Sequence, residues 1–283
     1  MDNRRWKNVT NELKHNKAAL FSILFLLIII LLSIFAFLIP IDPDKVNVSA
    51  MLATPSAQHW FGTDELGRDY LVRTIYGGRV SLLVGVAAML TSTTIGVLVG
   101  TISGYFGGFI DNLLMRIVDV ISSIPWMILV TVVSIFLQPG LRTIIIVIGL
   151  FTWMEIARLV RAETLSIKER EYVQYSLFIG EAWYSIILRH IIPSVFPTII
   201  IAATTSIAAA IMTESSLSFL GLGIQQPMSS WGNLLQSAQS NLGTAPYMAI
   251  LPGVLIILTI YSFNKLGDVA RVFVEPKITA GEK

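Results

Sequence analysis

The residues of this sequence whose spacing could do chemistry are charged pairs. Two acid-before-base pairs at i,i+4 stand close together, Asp64 with Arg68 and Asp69 with Arg73. On a helix each such pair contributes about 0.2–0.5 kcal/mol, so the pairs could brace a surface helix or form a docking surface. Trp231 follows in a later segment without Lys or Arg, where a vestibule wall and an interfacial aromatic anchor are equally compatible with the pattern.

Motifs for nucleotide, nucleophile and metal chemistry are missing from the printed sequence. It has no Gly-Lys pair, so it has no phosphate-binding loop of the Walker A type. It also lacks Gly-x-Ser-x-Gly, His-Glu-x-x-His and cysteine. His15, His59 and His190 are too scattered to predict a metal cluster. We therefore expect no catalytic residue and no metal site, and any active transport would draw its energy from another chain or from an ion gradient.

The composition indicates which elements carry these residues. The 283 residues are 54% hydrophobic and 13% charged, against roughly 25% charged in a soluble domain. Mean hydropathy is +0.72. Because only helices and closed barrels span a bilayer, long apolar runs predict an all-α integral membrane protein with about six transmembrane helices. The candidate spans cover residues 18–40, 80–104, 113–137, 143–161, 191–212 and 247–264.

Features inside these spans predict how the helices pack. Gly96, Gly100 and Gly104 recur at spacing four in the second span, which predicts the close approach of a neighbouring helix. Arg116/Asp119 and Glu155/Arg158 are i,i+3 pairs within or at the ends of spans. An ionised group there costs roughly 2.5–3.5 kcal/mol, so we expect these side chains to pair or to face the bundle interior, with a structural or gating role favoured over substrate contact.

The distribution of Lys and Arg predicts the orientation. With the N-terminus inside, only five of the 20 basic residues fall outside: Lys45, Arg68, Arg73, Arg79 and Arg142. This positive-inside bias predicts that both termini are cytoplasmic. It leaves outer segments at about 41–79 and 213–246 and a cytoplasmic loop at about 162–190.

The cytoplasmic loop is the most distinctive stretch. It carries alternating charges, then a short helix-compatible run, Gly180, and Pro193 thirteen residues later. This pattern predicts a short helix, a glycine-permitted turn and re-entry into the membrane. By composition alone, a lever gripped by a soluble motor and an ordinary solvated loop are equally compatible with it.

The loop resembles the coupling loop of ABC importer permeases, whose pattern is Glu-Ala-Ala, three residues, Gly, nine residues, then Ile-x-Leu-Pro. Gly180 and Pro193 stand at the family spacing, while Gln174, Tyr175 and Ser176 replace Glu-Ala-Ala. The resemblance extends over most of residues 18–276. It is closest to the C-type permease subunit of dipeptide, oligopeptide and nickel importers, and the further segments that carry it are 59–69, 78–82, 104–108, 214–223, 230–232, 252–253 and 264–268.

This resemblance implies a type I ABC importer permease-like fold in a bacterial plasma membrane. The implied organisation is an N-terminal tail, first span and outer segment (1–79), a five-helix permease core with the coupling loop (80–276), and a cytoplasmic tail (277–283). The residues implied to couple to the ATPase are Glu171, Tyr172, Val173, Gln174, Tyr175, Ser176, Gly180 and Pro193. Those implied in docking of a binding protein or in gating are Asp64, Arg68, Asp69, Arg73 and Trp231.

The same resemblance implies the partners. They are a homologous second permease subunit, two ATP-binding subunits that hold ATP-Mg, an extracellular substrate-binding protein and membrane lipid, with no nucleic acid. This chain itself would need no cofactor. Its substrate would be a peptide, nickel or a metal-chelator complex that crosses between the two permease chains. An ion-gradient-driven secondary transporter is the alternative.

Overall fold

A computed structural model describes residues 16–274 of the chain. These residues form helices and connecting turns without a strand, which confirms the predicted all-α membrane class. The tail predicted at 277–283 and most of the N-terminal tail lie outside the described range. The helices are α1 (Lys17–Ile34), α2 (Tyr70–Phe106), α3 (Gly108–Ser122), α4 (Trp126–Phe136), α5 (Leu141–Lys168), α6 (Glu171–Phe178), α7 (Trp183–Ile186), α8 (Ile192–Phe219), α9 (Trp231–Ala238) and α10 (Tyr247–Val274).

Five helical stretches in this range are long and apolar enough to cross a membrane. They are α1, α2, α5, α10 and the stretch Trp183–Phe219, in which α7 continues through a π-helical turn into α8. The span predicted at 113–137 is instead two shorter helices, α3 and α4, separated at residues 123–125. Pro125 is the reason, because proline disfavours helical geometry in the residue before it and has no N–H to donate.

The second span begins at Tyr70, ahead of the predicted start at residue 80. Asp69 sets this start, since its carboxylate accepts a hydrogen bond from the backbone N–H of Val72 and so caps α2. The boundary predicted between 79 and 80 therefore falls within a continuous helix.

The glycine stripe of α2 lies directly against α5. A β-carbon added at Gly96 would lie 2.7 Å from Cβ of Ile156, and one added at Gly100 would lie 2.5 Å from the carbonyl oxygen of Ala157. At Gly104 it would lie 2.7 Å from Cβ of Thr164. These distances leave no room for a side chain, which confirms the close approach predicted from the spacing.

The remaining long helices complete the bundle around α2. Helix α8 packs against α2 and α10, and α1 packs against α10 and α2. Along α1 the buried residues recur every three or four positions: Ala19, Ser22, Leu26, Ile29 and Ser33. Most of the other side chains of α1 are large and apolar, and those from Leu27 to Ile34 outside this stripe are exposed, as expected for a helix whose remaining surface faces lipid.

The packing of α2 on α5 predicts that Gly100→Ala destabilises the protein. The added methyl group meets backbone rather than a movable side chain, and such overpacking costs about 1–3 kcal/mol. Thermal unfolding of the purified protein in detergent measures the effect. Gly253→Ala in α10 is the matched control, because a β-carbon there would have 3.9 Å of clearance from Leu235. Equal unfolding temperatures for the two variants would contradict the assignment.

Candidate functional site

The loop predicted at 162–190 is a compact elbow between two spans. Helix α5 runs on to Lys168, α6 follows at once, and the chain reverses at Gly180, whose φ is +78°. Nothing lies within 4 Å of a β-carbon built at Gly180, so the glycine is required by this backbone angle and not by a close neighbour. Pro193 stands in the first turn of α8, directly after the π-helical turn Ile187–Ile191.

The inner face of the elbow is packed against the membrane bundle. Val173 of α6 is fully buried in a core with Ile167 of α5, Ile186 of α7 and Ile191 of the π-helical turn. Ser176 is also buried, and its hydroxyl lies 3.3 Å from Nε2 of His190. The elbow is thus joined firmly to the spans on both sides of it.

Hydrogen bonds fix the remaining loop residues. The Gln174 amide donates to the carbonyl of Lys168 at 2.8 Å, and the Tyr172 hydroxyl lies 3.1 Å from that of Ser194. The Glu181 carboxylate accepts from the Ser185 hydroxyl at 2.5 Å. This hydrogen bond is the main reason that the pKa of Glu181 lies below its usual value.

The outer face of the elbow is apolar and uncovered in this chain. It consists of Tyr175, Phe178, Ile179, Trp183 and Tyr184, which we call the elbow patch. Phe178 is 90% exposed and has the largest exposed fraction of these five. Of the five, sequence reasoning singled out only Tyr175. The available signal was the run of large apolar residues on both sides of Gly180 in an otherwise charged loop.

The four charged residues predicted to act in docking or in gating are buried, at the opposite end of the bundle from the elbow. Residues 64–68 form a turn, in which Arg68 Nε lies 2.7 Å from Asp64 Oδ2. Arg73 does not pair with Asp69, as the spacing suggested, but lies 3.5 Å from Asp64 and 2.9 Å from Asp44. We call Asp44, Asp64, Arg68 and Arg73 the outer cluster.

This arrangement corrects the surface-helix interpretation. Asp69 caps α2 and lies 2.8 Å from Nδ1 of His59, so it is not available to Arg73. Arg68 also reaches Gln226 at 3.5 Å, which joins the two predicted outer segments. The side chains of Asp64, Arg68, Asp69 and Arg73 are all buried, and their role in docking or in gating stays a prediction.

Trp231 is a buried residue of the helix junction and not an interfacial anchor. Its side chain is fully buried, and its indole N–H donates to the carbonyl of Thr74 at 3.1 Å. Its backbone N–H donates to Ser81, which in turn donates to the buried carboxylate of Glu214 at 2.9 Å. Sequence reasoning did not single out Glu214, although a carboxylate among serines in an apolar run was a visible signal.

A cavity of about 810 Å³ lies between α4, α5, α8 and the end of α3. Its wall is mostly apolar, and Glu155 and Arg158 are its charged lining residues in the part of the chain that the structure describes. The predicted pairing within α3 and within α5 is not formed. Arg158 instead donates across to Asp119 at 3.0 Å and to Ser122 at 3.1 Å.

A second ion pair joins α3 to α5 nearer the elbow. Arg161 holds both carboxylate oxygens of Asp111, at 2.5 and 2.6 Å, and Ser103 donates to the same carboxylate. This contact with Arg161 is the main reason that the pKa of Asp111 lies below its usual value. Sequence spacing missed it, because the two residues lie on different helices.

Comparisons with known proteins identify the class. A family model described as binding-protein-dependent transport system inner membrane component matches residues 96–280, and one described as the N-terminal TM domain of oligopeptide transport permease C matches residues 4–55. The chain is 40% identical over 275 residues to the oligopeptide transport system permease protein OppC of Haemophilus influenzae, across 96% of this chain and 88% of that protein. It is 40% identical over 269 residues to the dipeptide transport system permease protein DppC of Bacillus subtilis, across 94% and 84%.

A solved structure shares the fold. It is a chain from the inward-facing conformations of the MetNI methionine ABC transporter, with a TM-score of 0.61 and 20% identity, covering 72% of this chain and 97% of that one. Fold and family models together define a multi-helix transport permease. The chain belongs to the family of inner membrane components of binding-protein-dependent transport systems. The resemblance drawn from the motifs is thereby confirmed.

The buried outer cluster predicts that Asp64→Ala is strongly destabilising. It removes the carboxylate between Arg68 and Arg73 and leaves two guanidinium groups buried together. Breaking such a buried pair costs about 3–5 kcal/mol. Asp268→Ala, which removes an exposed pair with Lys265, is the control and should cost less than about 1 kcal/mol. Similar thermal stability of the two variants would show that the cluster does not hold this end together.

Proposed function

We propose that this chain is one of two permease subunits of an ATP-driven importer of peptides. Its relatives at 40% identity are named as oligopeptide and dipeptide permeases, which supports peptides as substrates. Nickel and metal-chelator complexes stay predictions of the motif resemblance. In this proposal ATP-Mg is held by partner subunits, and an extracellular binding protein delivers the peptide.

The observation that carries the proposal is the elbow patch. Five large side chains stand uncovered at the tip of the elbow, while the inner face of the same elbow is packed into the core between α5 and α8. A water-facing loop gains nothing from such a surface, whereas an aromatic-rich patch is typical of the centre of a protein–protein interface. An ATP-binding subunit gripping this patch would move α5 and α8 together.

The cavity supports a path for the substrate next to those helices. It is bounded by α5 and α8, the two helices that carry the elbow, and by α4, which makes few contacts with the rest of the bundle. A displacement of the elbow would therefore change the width of the cavity. The second permease chain would supply the wall that this chain leaves open.

We predict that Phe178→Ala separates the permease from its ATP-binding subunit. We expect Phe178 to be a hot spot of this interface, and truncation of a hot-spot residue costs about 2 kcal/mol or more of binding free energy. The variant should fold normally, because the side chain is 90% exposed. Co-purification of the ATP-binding subunit and peptide uptake at matched expression measure the effect.

Trp60→Ala is the control for this experiment. Trp60 is an aromatic residue that is 71% exposed and lies in the segment predicted to be outside. Its replacement should leave co-purification unchanged. Retention of the ATP-binding subunit and full uptake by Phe178→Ala would refute the assignment of the patch.

We predict that both termini are cytoplasmic, which single cysteines can test in this cysteine-free chain. Ser56, Ala182 and Ser240 are exposed positions, and Ala182 lies on the elbow. Cysteines at 56 and 240 should react with a membrane-impermeant thiol reagent in intact cells, and a cysteine at 182 only after permeabilisation. Labelling of position 182 in intact cells would show that the orientation is the opposite of the one predicted.

A further inference from the structure

Glu155 is a carboxylate that the fold exposes to the cavity and leaves unpaired. Across residues 16–274 no side chain forms an ion pair or a hydrogen bond with it, and its own side chain is exposed. It stands 14 residues after Leu141, the first residue of α5, which is about 21 Å along the helix axis. If the hydrocarbon layer begins at Leu141, the first residue of this candidate span, its thickness of about 30 Å includes the position of Glu155.

The cavity lining carries one carboxylate, Glu155, and one guanidinium, Arg158. Arg158, one turn after Glu155, is neutralised by Asp119 at 3.0 Å. Two carboxylates thus face a single guanidinium, and the uncompensated one lines the cavity. Much of the surrounding wall is apolar, including Ile121, Trp126 and Phe151.

An unpaired carboxylate at this depth is costly, and such residues are characteristic of substrate and ion pathways. A positively charged group that enters the same apolar cavity also loses hydration. When the carboxylate and the positively charged group approach within about 4–6 Å, their attraction offsets the cost of removing each of them from water. A neutral group gains nothing comparable from the carboxylate.

We propose that Glu155 binds the positively charged amine of a peptide during its passage and so makes the permease favour substrates with a free amino terminus. This inference rests on the proposed function, because it assumes that the cavity is the peptide path. Glu155 then selects substrate within the membrane, separately from any selection by a binding protein. The competing explanation is that Glu155 pairs with a basic residue of the second permease chain.

The test uses the complete importer in proteoliposomes, with the binding protein saturated by trialanine or by N-acetyl-trialanine. Glu155→Gln keeps the size of the side chain and removes its charge. It should lower uptake of trialanine about tenfold, as expected for the loss of one charge-assisted hydrogen bond, and change uptake of the acetylated peptide less than about twofold. Glu155→Asp should retain most of the preference. Asp268→Asn, an exposed carboxylate-to-amide change outside the cavity, should behave as wild type.

Other results would overturn the inference. An equal loss of uptake for both peptides, or a loss of complex assembly, would indicate that Glu155 pairs with the second permease chain. Unchanged uptake of trialanine would show that the carboxylate has no part in passage. If the wild-type complex took up neither peptide, the proposed function itself would be contradicted. This outcome differs from those above, in which the wild-type complex transports and only the role of Glu155 is contradicted.

Discussion

The close packing of α2 against α5 is the contact on which the other elements depend. Gly100 lets the two backbones approach until a single added methyl group would touch the carbonyl of Ala157. In a membrane, where lipid and leucine are equally apolar, such contact between small residues is a main source of helix association. Because α2 also contacts α1, α3, α8 and α9, fixing α5 on α2 sets the positions of α5 and α8, which line the cavity and carry the elbow.

The two ends of this bundle use polar and apolar groups in opposite ways. At one end, Asp64, Arg68 and Arg73 are buried with partners, and Trp231 and Glu214 are tied to α2 through Ser81. At the other end, Phe178 and the aromatic residues of the elbow patch are each more than half exposed. Buried polar groups with matched partners favour one fixed arrangement, whereas an exposed apolar surface is stable only when another molecule covers it. The end with the outer cluster is therefore held in one arrangement by its own contacts, whereas the end with the elbow patch presents a surface for a partner protein.

The sequence predicted what depends on local periodicity and failed where distant residues meet. The apolar runs located five long membrane helices but missed the break in the span predicted at 113–137. The spacing of Gly96, Gly100 and Gly104 identified the packed face, and Gly180 identified the turn of the elbow. Partners of charged residues were not predictable in this way. Spacing within one helix suggested Asp69 as the ion-pair partner of Arg73. The chain folds back, however, and places Asp44 and Asp64 beside Arg73. The burial of Trp231 likewise depends on where a separate helix lies.

The break at Pro125 connects the shape of the cavity with its charge. Helices α3 and α5 are joined by two successive cross-helix pairs, Asp111 with Arg161 and then Asp119 with Arg158. Glu155 is the next charged residue of α5 toward its N-terminus after Arg161 and Arg158. Helix α3, which carries the two aspartates, ends at Ser122 ahead of Pro125. The chain turns there into α4, and Pro125 and Trp126 line the cavity on the side that faces α5 and α8. The helix break at Pro125 and the carboxylate of Glu155 thus line the same cavity.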